Sequence, residues 1–347
     1  MNFSRGFHPT SRAGSSRDRD PSRDVPEDAP PGTVTGLRMG SDYPSASVVI
    51  PTFNRLTGLQ RVVAAVSEQV WPEPLAAVPE ILVVDDGSSD GTWSWLQTQA
   101  GAGTLRALRQ ENSGPARARN LGAREATGEV VLFLGDDTVP QPGWLVAHLE
   151  EHRLFSDGAP IAVVGYTTFP TTHDTPFLRF INEFGAQFGY QLIEHPHGVP
   201  FKFFYTSNIS LRRRELVDRG GFREDFPAAA WEDIEFAYRA CADGMTLHYQ
   251  PRARVLHHHR IQPRTFCRRQ RTSGQSAAIF SELHPELAEF LGVGRLTGLP
   301  ALAGLHICAL CATITLAEVI RMTLPHRVYQ RFVDLCYLKG LAGGLQE

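Results

Sequence analysis

Three apolar stretches, SVVIPTFNR (47–55), ILVVDDGS (81–88) and VVLFLGDD (130–137), decide the fold of this chain. Each begins with a continuous apolar run, which is typical of strands that are buried on both faces of a parallel sheet. After the first stretch, apolar residues recur at i, i+3, i+4 and i+7 from Leu59, the spacing of an amphipathic helix. Strands that alternate with helices predict an α/β domain whose sheet is mostly parallel.

The composition fits a soluble globular protein. The chain has 347 residues, of which 42% are hydrophobic, and its net charge is -3. Such a charge argues against a general nucleic-acid-binding protein, because those proteins carry a strong basic excess. The five cysteines form no disulfide framework, and the N-terminus lacks the apolar core of a signal peptide. Both features predict a reducing, cytoplasmic compartment.

The segments outside the α/β domain have a different composition. Residues 1–44 are rich in Ser, Arg, Asp, Pro and Gly and cannot bury enough apolar surface to fold, so we predict that they are disordered. The α/β domain should occupy residues 45–262. Residues 263–347 read as a C-terminal helical extension.

The predicted strands end in polar clusters, namely PTFN (51–54), DDGS (85–88) and GDD (135–137). Ligands of open α/β sheets bind beyond the carboxyl ends of the strands, so these clusters should share one binding site. Paired carboxylates without cysteine suggest a hard divalent cation, Mg²⁺ or Mn²⁺, that bridges to phosphate oxygens. The sequence lacks a P-loop motif, which excludes a P-loop enzyme. It also lacks a G-x-G-x-x-G after a strand, which weakens a dinucleotide-binding interpretation.

Five motifs, in their order and spacing, resemble family 2 glycosyltransferases of the GT-A fold. They are SVVIPTFNR, ILVVDDGSSDGT, ENSGPARARNLGAREATGE, VLFLGDDTVP and WEDIEF, and they lie within residues 46–260. The resemblance implies a GT-A-like, Rossmann-type sheet flanked by helices. It divides the domain into a nucleotide-binding half at 45–145 and an acceptor half at 146–262. It also implies inverting transfer of a sugar from a nucleoside diphosphate donor to an acceptor hydroxyl.

The resemblance assigns donor-binding roles to individual residues. The implied nucleotide-sugar-binding set is Pro51, Thr52, Asn54, Asp85, Asp86, Arg119 and Asp136. Within this set, Asp85 would contact the base while Asp86 supports its turn. Arg119 would reach the nucleotide or the pyrophosphate, and Asp136 would lie near the ribose.

The resemblance also implies a metal site at Asp137. Gly135 stands where many family members have the first acid of a D-x-D element, so further ligands are needed. In several members a histidine after the last strand completes the metal shell, and neutral imidazole suits a divalent cation. Strand alternation puts His257 and His259 on one side and His258 on the other, and we favour His258 as the ligand.

The WED segment supplies the predicted catalytic residues. The resemblance makes Asp233 the general base. It lies at the start of a predicted helix over 232–243, where the helix dipole favours the ionised carboxylate. A carboxylate beside an acceptor hydroxyl can take its proton as the new bond forms. Glu232 would orient the acceptor or cap the helix.

Two later segments bear on partners. Residues 244–281 contain seven arginines and no acid, a pattern that needs an anionic partner such as the donor diphosphate, a lipid-linked acceptor or a membrane surface. Alternatively, these arginines form a solvated helix face that pairs with acids elsewhere. Residues 298–317 carry no formal charge and match the length of a membrane span, although Pro300 and His306 weaken that interpretation. We predict association with the cytoplasmic face of a membrane without a full span, or else a buried helix.

The sequence therefore predicts an inverting glycosyltransferase with a nucleotide-sugar donor, taken to be UDP-linked, and an Mg²⁺ or Mn²⁺ cofactor. The acceptor would be a glycan or a lipid-linked glycan. One alternative is a sugar-nucleotide nucleotidyltransferase, but PTFNRLTG (51–58) lacks the Gly-rich, Lys-containing loop of that class. Another is a degenerate nucleotide-binding scaffold, for which Gly135 is the supporting feature.

Overall fold

The computed structural model describes residues 43–70, 78–156, 160–185, 187–226 and 228–346. The predicted disordered segment therefore lies almost entirely outside the described residues. The described strands belong to one sheet and are β1 (Ala46–Thr52), β2 (Glu80–Asp85), β3 (Arg106–Arg109), β4 (Val130–Leu134), β5 (Thr138–Pro140), β6 (Ile161–Thr168), β7 (His197–Val199), β8 (Asn208–Arg212) and β9 (Thr246–His257). The described α-helices are α1 (Leu56–Ser67), α2 (Thr92–Gly101), α3 (Pro115–Glu125), α4 (Trp144–Leu154), α5 (Pro176–Glu183), α6 (Arg213–Val217), α7 (Glu232–Ala242), α8 (Pro263–Leu283), α9 (Ala303–Val319) and α10 (His326–Gly344).

The sheet has the order β3-β2-β1-β4-β8-β6-β9-β5, and β7 pairs with β9 outside this path. The predicted α/β fold, with a central sheet between helices and a helical C-terminal part, is confirmed. Strands β1 to β4 are mutually parallel, as predicted. The sheet as a whole is mixed, because β8 runs antiparallel to β4 and β6, and β5 runs antiparallel to β9.

The apolar run of β1 is buried on both faces of the sheet. Val49 packs into one apolar cluster with Phe133 of β4, while Val48 and Ile50 pack into another with Leu59 of α1. This burial explains why the strand has a continuous apolar run rather than an alternating one. Because β1, β2 and β4 are parallel, their carboxyl ends meet at one edge of the sheet.

The C-terminal helices α8 and α10 cross at two glycines. A Cβ atom at Gly274 would lie 2.2 Å from the carbonyl oxygen of Tyr337, and one at Gly340 would lie 2.0 Å from that of Arg271. The same two helices are joined by a disulfide between Cys267 and Cys336, whose Cα atoms are 5.4 Å apart. The prediction that no cysteines pair was therefore wrong, because the pairing depends on helix packing that cysteine spacing does not report.

Helix α9 covers most of the uncharged stretch 298–317 and ends two residues beyond it. No helix in the described part of the chain is long and apolar enough to cross a membrane. Ile307 and Ile314 of α9 are buried, whereas Leu305 and Leu316 are exposed. The helix is thus partly packed against the protein and partly in contact with solvent.

Candidate active site

A cavity of about 760 Å³ lies at the carboxyl edge of the parallel strands. The ends of β1 and β4 form one side, and α7 and α8 form the other. The structure brings most of the predicted site residues to this cavity, and those lining it are Pro51, Thr52, Asp86, Arg119, Asp136, Asp137, Glu232 and Asp233. The volume is in the range of small-molecule sites, which is about 300–1,000 Å³.

Asp86, and not Asp85, reaches the cavity wall. The Asp86 carboxylate accepts hydrogen bonds from the Gln110 side chain at 2.7 Å and from the backbone N–H groups of Ser113 at 2.8 Å and Gly114 at 2.9 Å. Asp85 is fully buried behind it, and its Oδ1 accepts from the backbone N–H of Ser88 at 3.1 Å. Asp86 therefore holds the loop that precedes α3 in place.

Asn54 supports the loop after β1 and does not line the cavity. Its backbone adopts the left-handed region with φ 51°, a conformation that asparagine tolerates better than most residues. Its side-chain oxygen accepts from the backbone N–H of Ser89 at 2.7 Å, and its own N–H donates to Ser88 Oγ at 2.8 Å. These bonds join the loop after β1 to the loop after β2.

The carboxylates after β4 are held by an arginine and a threonine. Thr52 Oγ1 donates to Asp136 Oδ2 at 2.9 Å, and Arg55 pairs with Asp137. Burial raises the pKa of Asp136 to about 6 against the opposing charge of Arg55, and the Asp137 charge adds to the rise. For Asp137, burial acts in the same direction, but the hydrogen bond and charge of His257, together with Arg55, hold its pKa well below the usual range.

The structure places His257, rather than the favoured His258, against the Asp137 side chain. His257 Nε2 lies 3.2 Å from Asp137 Oδ1. The His258 ring is exposed at an adjoining crevice, which Arg61 and Asp137 also line. The His258 backbone N–H donates to the Asp137 carbonyl oxygen at 2.8 Å. As strand alternation predicts, His257 and His259 share one side, and their rings stack with centroids 5.8 Å apart.

Asp137 and His257 fit a divalent cation. A carboxylate oxygen and an imidazole nitrogen converge there, and both are ligands of Mn²⁺ and related metals. His257 Nδ1 is buried without a hydrogen-bond partner in the described part of the chain, whereas Nε2 faces the Asp137 carboxylate. The Arg55 guanidinium already supplies positive charge beside the Asp137 carboxylate.

Asp233 lies on the opposite wall, in the first turn of α7. Its Oδ2 accepts from the backbone N–H of Thr206 at 3.2 Å and from the Thr206 hydroxyl at 3.1 Å. Trp231, which precedes α7, has φ 73°, a left-handed conformation that costs about 1–3 kcal/mol in a residue other than glycine. Its indole N–H donates to the carbonyl oxygen of Ser273 on α8 at 2.9 Å, so contacts with α8 help to hold this strained turn.

Glu232 is buried in an ion pair with Arg119. Arg119 Nη1 donates to Glu232 Oε1 at 2.7 Å, which joins α3 to α7. Burial and the neighbouring Asp233 raise the pKa of Glu232 to about 7, although Arg119 opposes the shift. Glu232 Oε2 and Arg119 Nε are buried without hydrogen-bond partners among the described residues. The pair is thus incompletely satisfied beside the cavity.

The arginine-rich segment, for which the donor diphosphate was one predicted partner, contributes Arg269 to the cavity, although the sequence does not single this residue out. Phe266, Arg269, Gln270 and Ser273 of α8 all line the cavity. Their spacing of i, i+3, i+4 and i+7 is the signal that could have identified this face. Arg269 is exposed and lines the cavity together with Asp137 and Asp233.

The chain is similar in sequence to several known proteins. The family model described as glycosyl transferase family 2 matches residues 47–220. A pre-mycofactocin glycosyltransferase of Mycobacterium tuberculosis is 29% identical over 252 residues, which are 71% of this chain and 50% of the relative. A validoxylamine A glucosyltransferase of Streptomyces hygroscopicus is 30% identical over 233 residues, covering 60% of this chain and 50% of the relative. The chain spans about half the length of these curated relatives.

One solved structure covers nearly the whole chain. It is a mannosyltransferase from Pyrobaculum calidifontis in complex with GDP-Man and Mn²⁺, with a TM-score of 0.55. The match covers 90% of this chain and 91% of that one at 20% sequence identity, so it supports the fold alone.

Proposed function

Because this chain belongs to glycosyl transferase family 2, whose model matches residues 47–220, we propose that it transfers a sugar from a nucleotide-sugar donor to an acceptor hydroxyl. The observation that carries the proposal is the arrangement of carboxylates on two walls of one cavity. Asp137, paired with His257, lies on the donor side, and Asp233 faces it from α7. Opposite walls would thus supply the two requirements of the reaction, stabilisation of a departing diphosphate and removal of a proton.

On the donor wall, Asp137 and His257 would hold Mg²⁺ or Mn²⁺. When bound, the cation would neutralise charge on the diphosphate leaving group. Arg269 would contribute a second positive charge from α8, and a guanidinium is well suited to phosphate oxygens. The loop held by Asp86 would form the nucleotide side of the pocket, with Thr52 and Asp136 near the ribose.

On the acceptor wall, Asp233 would act as the general base. Its carboxylate is oriented by Thr206 and lies at the positive end of α7, which favours the ionised form that accepts a proton. Attack by the activated hydroxyl on the face opposite to the leaving diphosphate would invert the anomeric centre. The buried pair of Glu232 and Arg119 would keep Asp233 in position.

We further propose a UDP-linked donor and a glycan or lipid-linked glycan acceptor. Both proposals rest on the family resemblance rather than on a contact in the cavity. A thermal-shift screen of UDP- and GDP-sugars with and without Mn²⁺ would test the donor, because ligand binding to the folded state raises its melting temperature. Stabilisation by GDP-sugars alone would overturn the UDP assignment.

The decisive experiment compares Asp137→Ala with Asp174→Ala. Asp137→Ala should abolish Mn²⁺-dependent donor binding and nucleotide release. Asp174 is an exposed acid that pairs with Arg179, so its substitution should leave both unchanged. Metal-dependent nucleotide release by the wild type would support an enzyme, whereas tight binding without turnover would support a scaffold. Unchanged Mn²⁺-dependent turnover in Asp137→Ala would contradict the donor-site assignment.

A further inference from the structure

Glu151, His197 and His248 form a second polar cluster, remote from the donor cavity. Glu151 comes from α4, His197 from β7 and His248 from β9. The antiparallel pairing of β7 with β9 puts His197 directly opposite His248. His248 precedes His257 by nine residues along β9, which corresponds to roughly 30 Å of extended strand. The cluster is therefore independent of the donor site.

The three side chains aim their ligand atoms at one point. Glu151 Oε1 lies 2.9 Å from His248 Nδ1 and 3.1 Å from His197 Nε2. All three atoms lie within 4.8 Å of one another. Ligands about 2.0–2.2 Å from a tetrahedral metal are separated by distances of this order. Because such ligands are about 3.3–3.6 Å apart, Glu151 Oε1 would have to move slightly away from the two nitrogens to admit an ion.

Groups behind the cluster orient the ligands. Gln250 Nε2 approaches Glu151 Oε2 at 3.4 Å, which leaves Oε1 to face the histidines. Thr246 Oγ1 lies 3.4 Å from His248 Nε2. If Nδ1 bound a metal, the Nε2 proton could therefore be accepted by this hydroxyl. Metal-bound histidines characteristically have such a partner on their other ring nitrogen.

The surroundings of the cluster provide both shielding and access. The Phe155 ring packs edge-on against His248, with centroids 4.5 Å apart. The Glu151 and His248 side chains are only 7% and 5% exposed, whereas that of His197 is 55% exposed. Two ligands are thus fixed in the protein, and the third stands at the solvent side, where an ion and a water molecule can enter.

We propose that Glu151, His197 and His248 form a Zn²⁺ site that ties α4, β7 and β9 together. Two imidazoles and one carboxylate are a ligand set that favours zinc over magnesium or manganese. A solvent water would complete the tetrahedron on the His197 side. This function is separate from glycosyl transfer, and the metal preference separates the site from the donor cavity.

The test uses the full chain in an Asp137→Ala background, which removes a ligand of the proposed donor-site metal. Metal-free protein is titrated with Zn²⁺ by calorimetry, and with Co²⁺ to record the visible absorption of tetrahedral coordination. We expect one equivalent of tightly bound Zn²⁺ and a tetrahedral Co²⁺ spectrum. His197→Ala should weaken Zn²⁺ binding by at least about 100-fold, since changes to outer-shell partners alone cost about 10–100-fold.

His195→Ala is the matched control, because His195 is exposed in the loop just before β7, two residues from His197, and lies outside the cluster. It should bind Zn²⁺ with the affinity of the background protein, and Zn²⁺ should raise the melting temperatures of both by the same amount. His197 is also exposed, so its substitution is not expected to prevent folding. Absence of Zn²⁺ binding in the background protein, or equal affinity in His197→Ala and His195→Ala, would overturn the site and leave an ordinary carboxylate–histidine pair.

Discussion

The Asp233 carboxylate has a defined orientation before any acceptor binds. Its Oδ2 is fixed by Thr206 and its Oδ1 by the backbone N–H of Ile234 at 2.9 Å. Asp233→Asn preserves the shape of the side chain and removes its basicity. Transfer to the acceptor should fall by about 10² to 10⁴, the usual contribution of general-base catalysis. Donor binding, measured by thermal shift, should persist because the donor wall is unchanged.

Asp243→Asn provides the control for this substitution, since Asp243 is an exposed acid at the other end of the same helix. It should retain the wild-type rate. A different result would reassign the base: if Asp233→Asn transferred sugar at the wild-type rate and Glu232→Gln did not, Glu232 would be the proton acceptor.

Glu232 should make the stability of the protein depend on pH. Its folded-state pKa of about 7 lies above the ordinary value of 4.5, so the folded state binds this proton more tightly than the unfolded state. Its contribution to stability is therefore complete below pH 4.5 and is lost as the pH rises through about 7. Between these limits, the melting temperature of the wild type should fall relative to that of Glu232→Gln. A constant difference across this range would contradict the raised pKa.

Among the secondary-structure elements, α8 and α10 cross so closely that their contact glycines leave no room for a larger side chain. At Gly340 an added methyl group would meet the Arg271 carbonyl oxygen, so Gly340→Ala must push the helices apart. Overpacking of this kind costs about 1–3 kcal/mol. Gly343 lies one turn further along α10 with no atom within 4 Å of an added Cβ. Gly343→Ala should therefore cost nothing in urea unfolding, and equal losses in both variants would argue against the close crossing.

The sequence predicted those strands and helices whose positions follow from local residue patterns. The strands β1, β2 and β4, and the helix that carries Asp233, follow from apolar periodicity and from acids at strand ends. The choice between His257 and His258 could not be made in this way, because it depends on the pairing of Thr138 with His257 across β5 and β9. The same holds for Arg269, whose position depends on how α8 packs against the cavity.

At the scale of the whole molecule, the predicted boundary at residue 262 does not separate independent cores. Phe177 and Phe180 of α5 pack in one apolar cluster with Phe266 and Phe332, and Trp231 packs in another with Phe280. Removal of residues 263–347 should therefore expose these clusters and eliminate the α8 wall. We expect the truncated chain to lose the cooperative thermal transition and donor binding together. A soluble truncated protein with wild-type donor affinity would show instead that residues up to 262 fold and bind the donor independently.

The glycine crossing of α8 and α10 also limits how this protein can be recombined with its relatives. The position of α8 at the cavity depends on how closely α10 packs against it. That distance depends on two glycines in different helices, Gly274 in α8 and Gly340 in α10. A chimera that received α8 from one parent and α10 from another would shift Arg269 in the site even if every residue of the cavity were retained. The two helices should therefore be inherited as a single module, and libraries that shuffle between them should yield few active members.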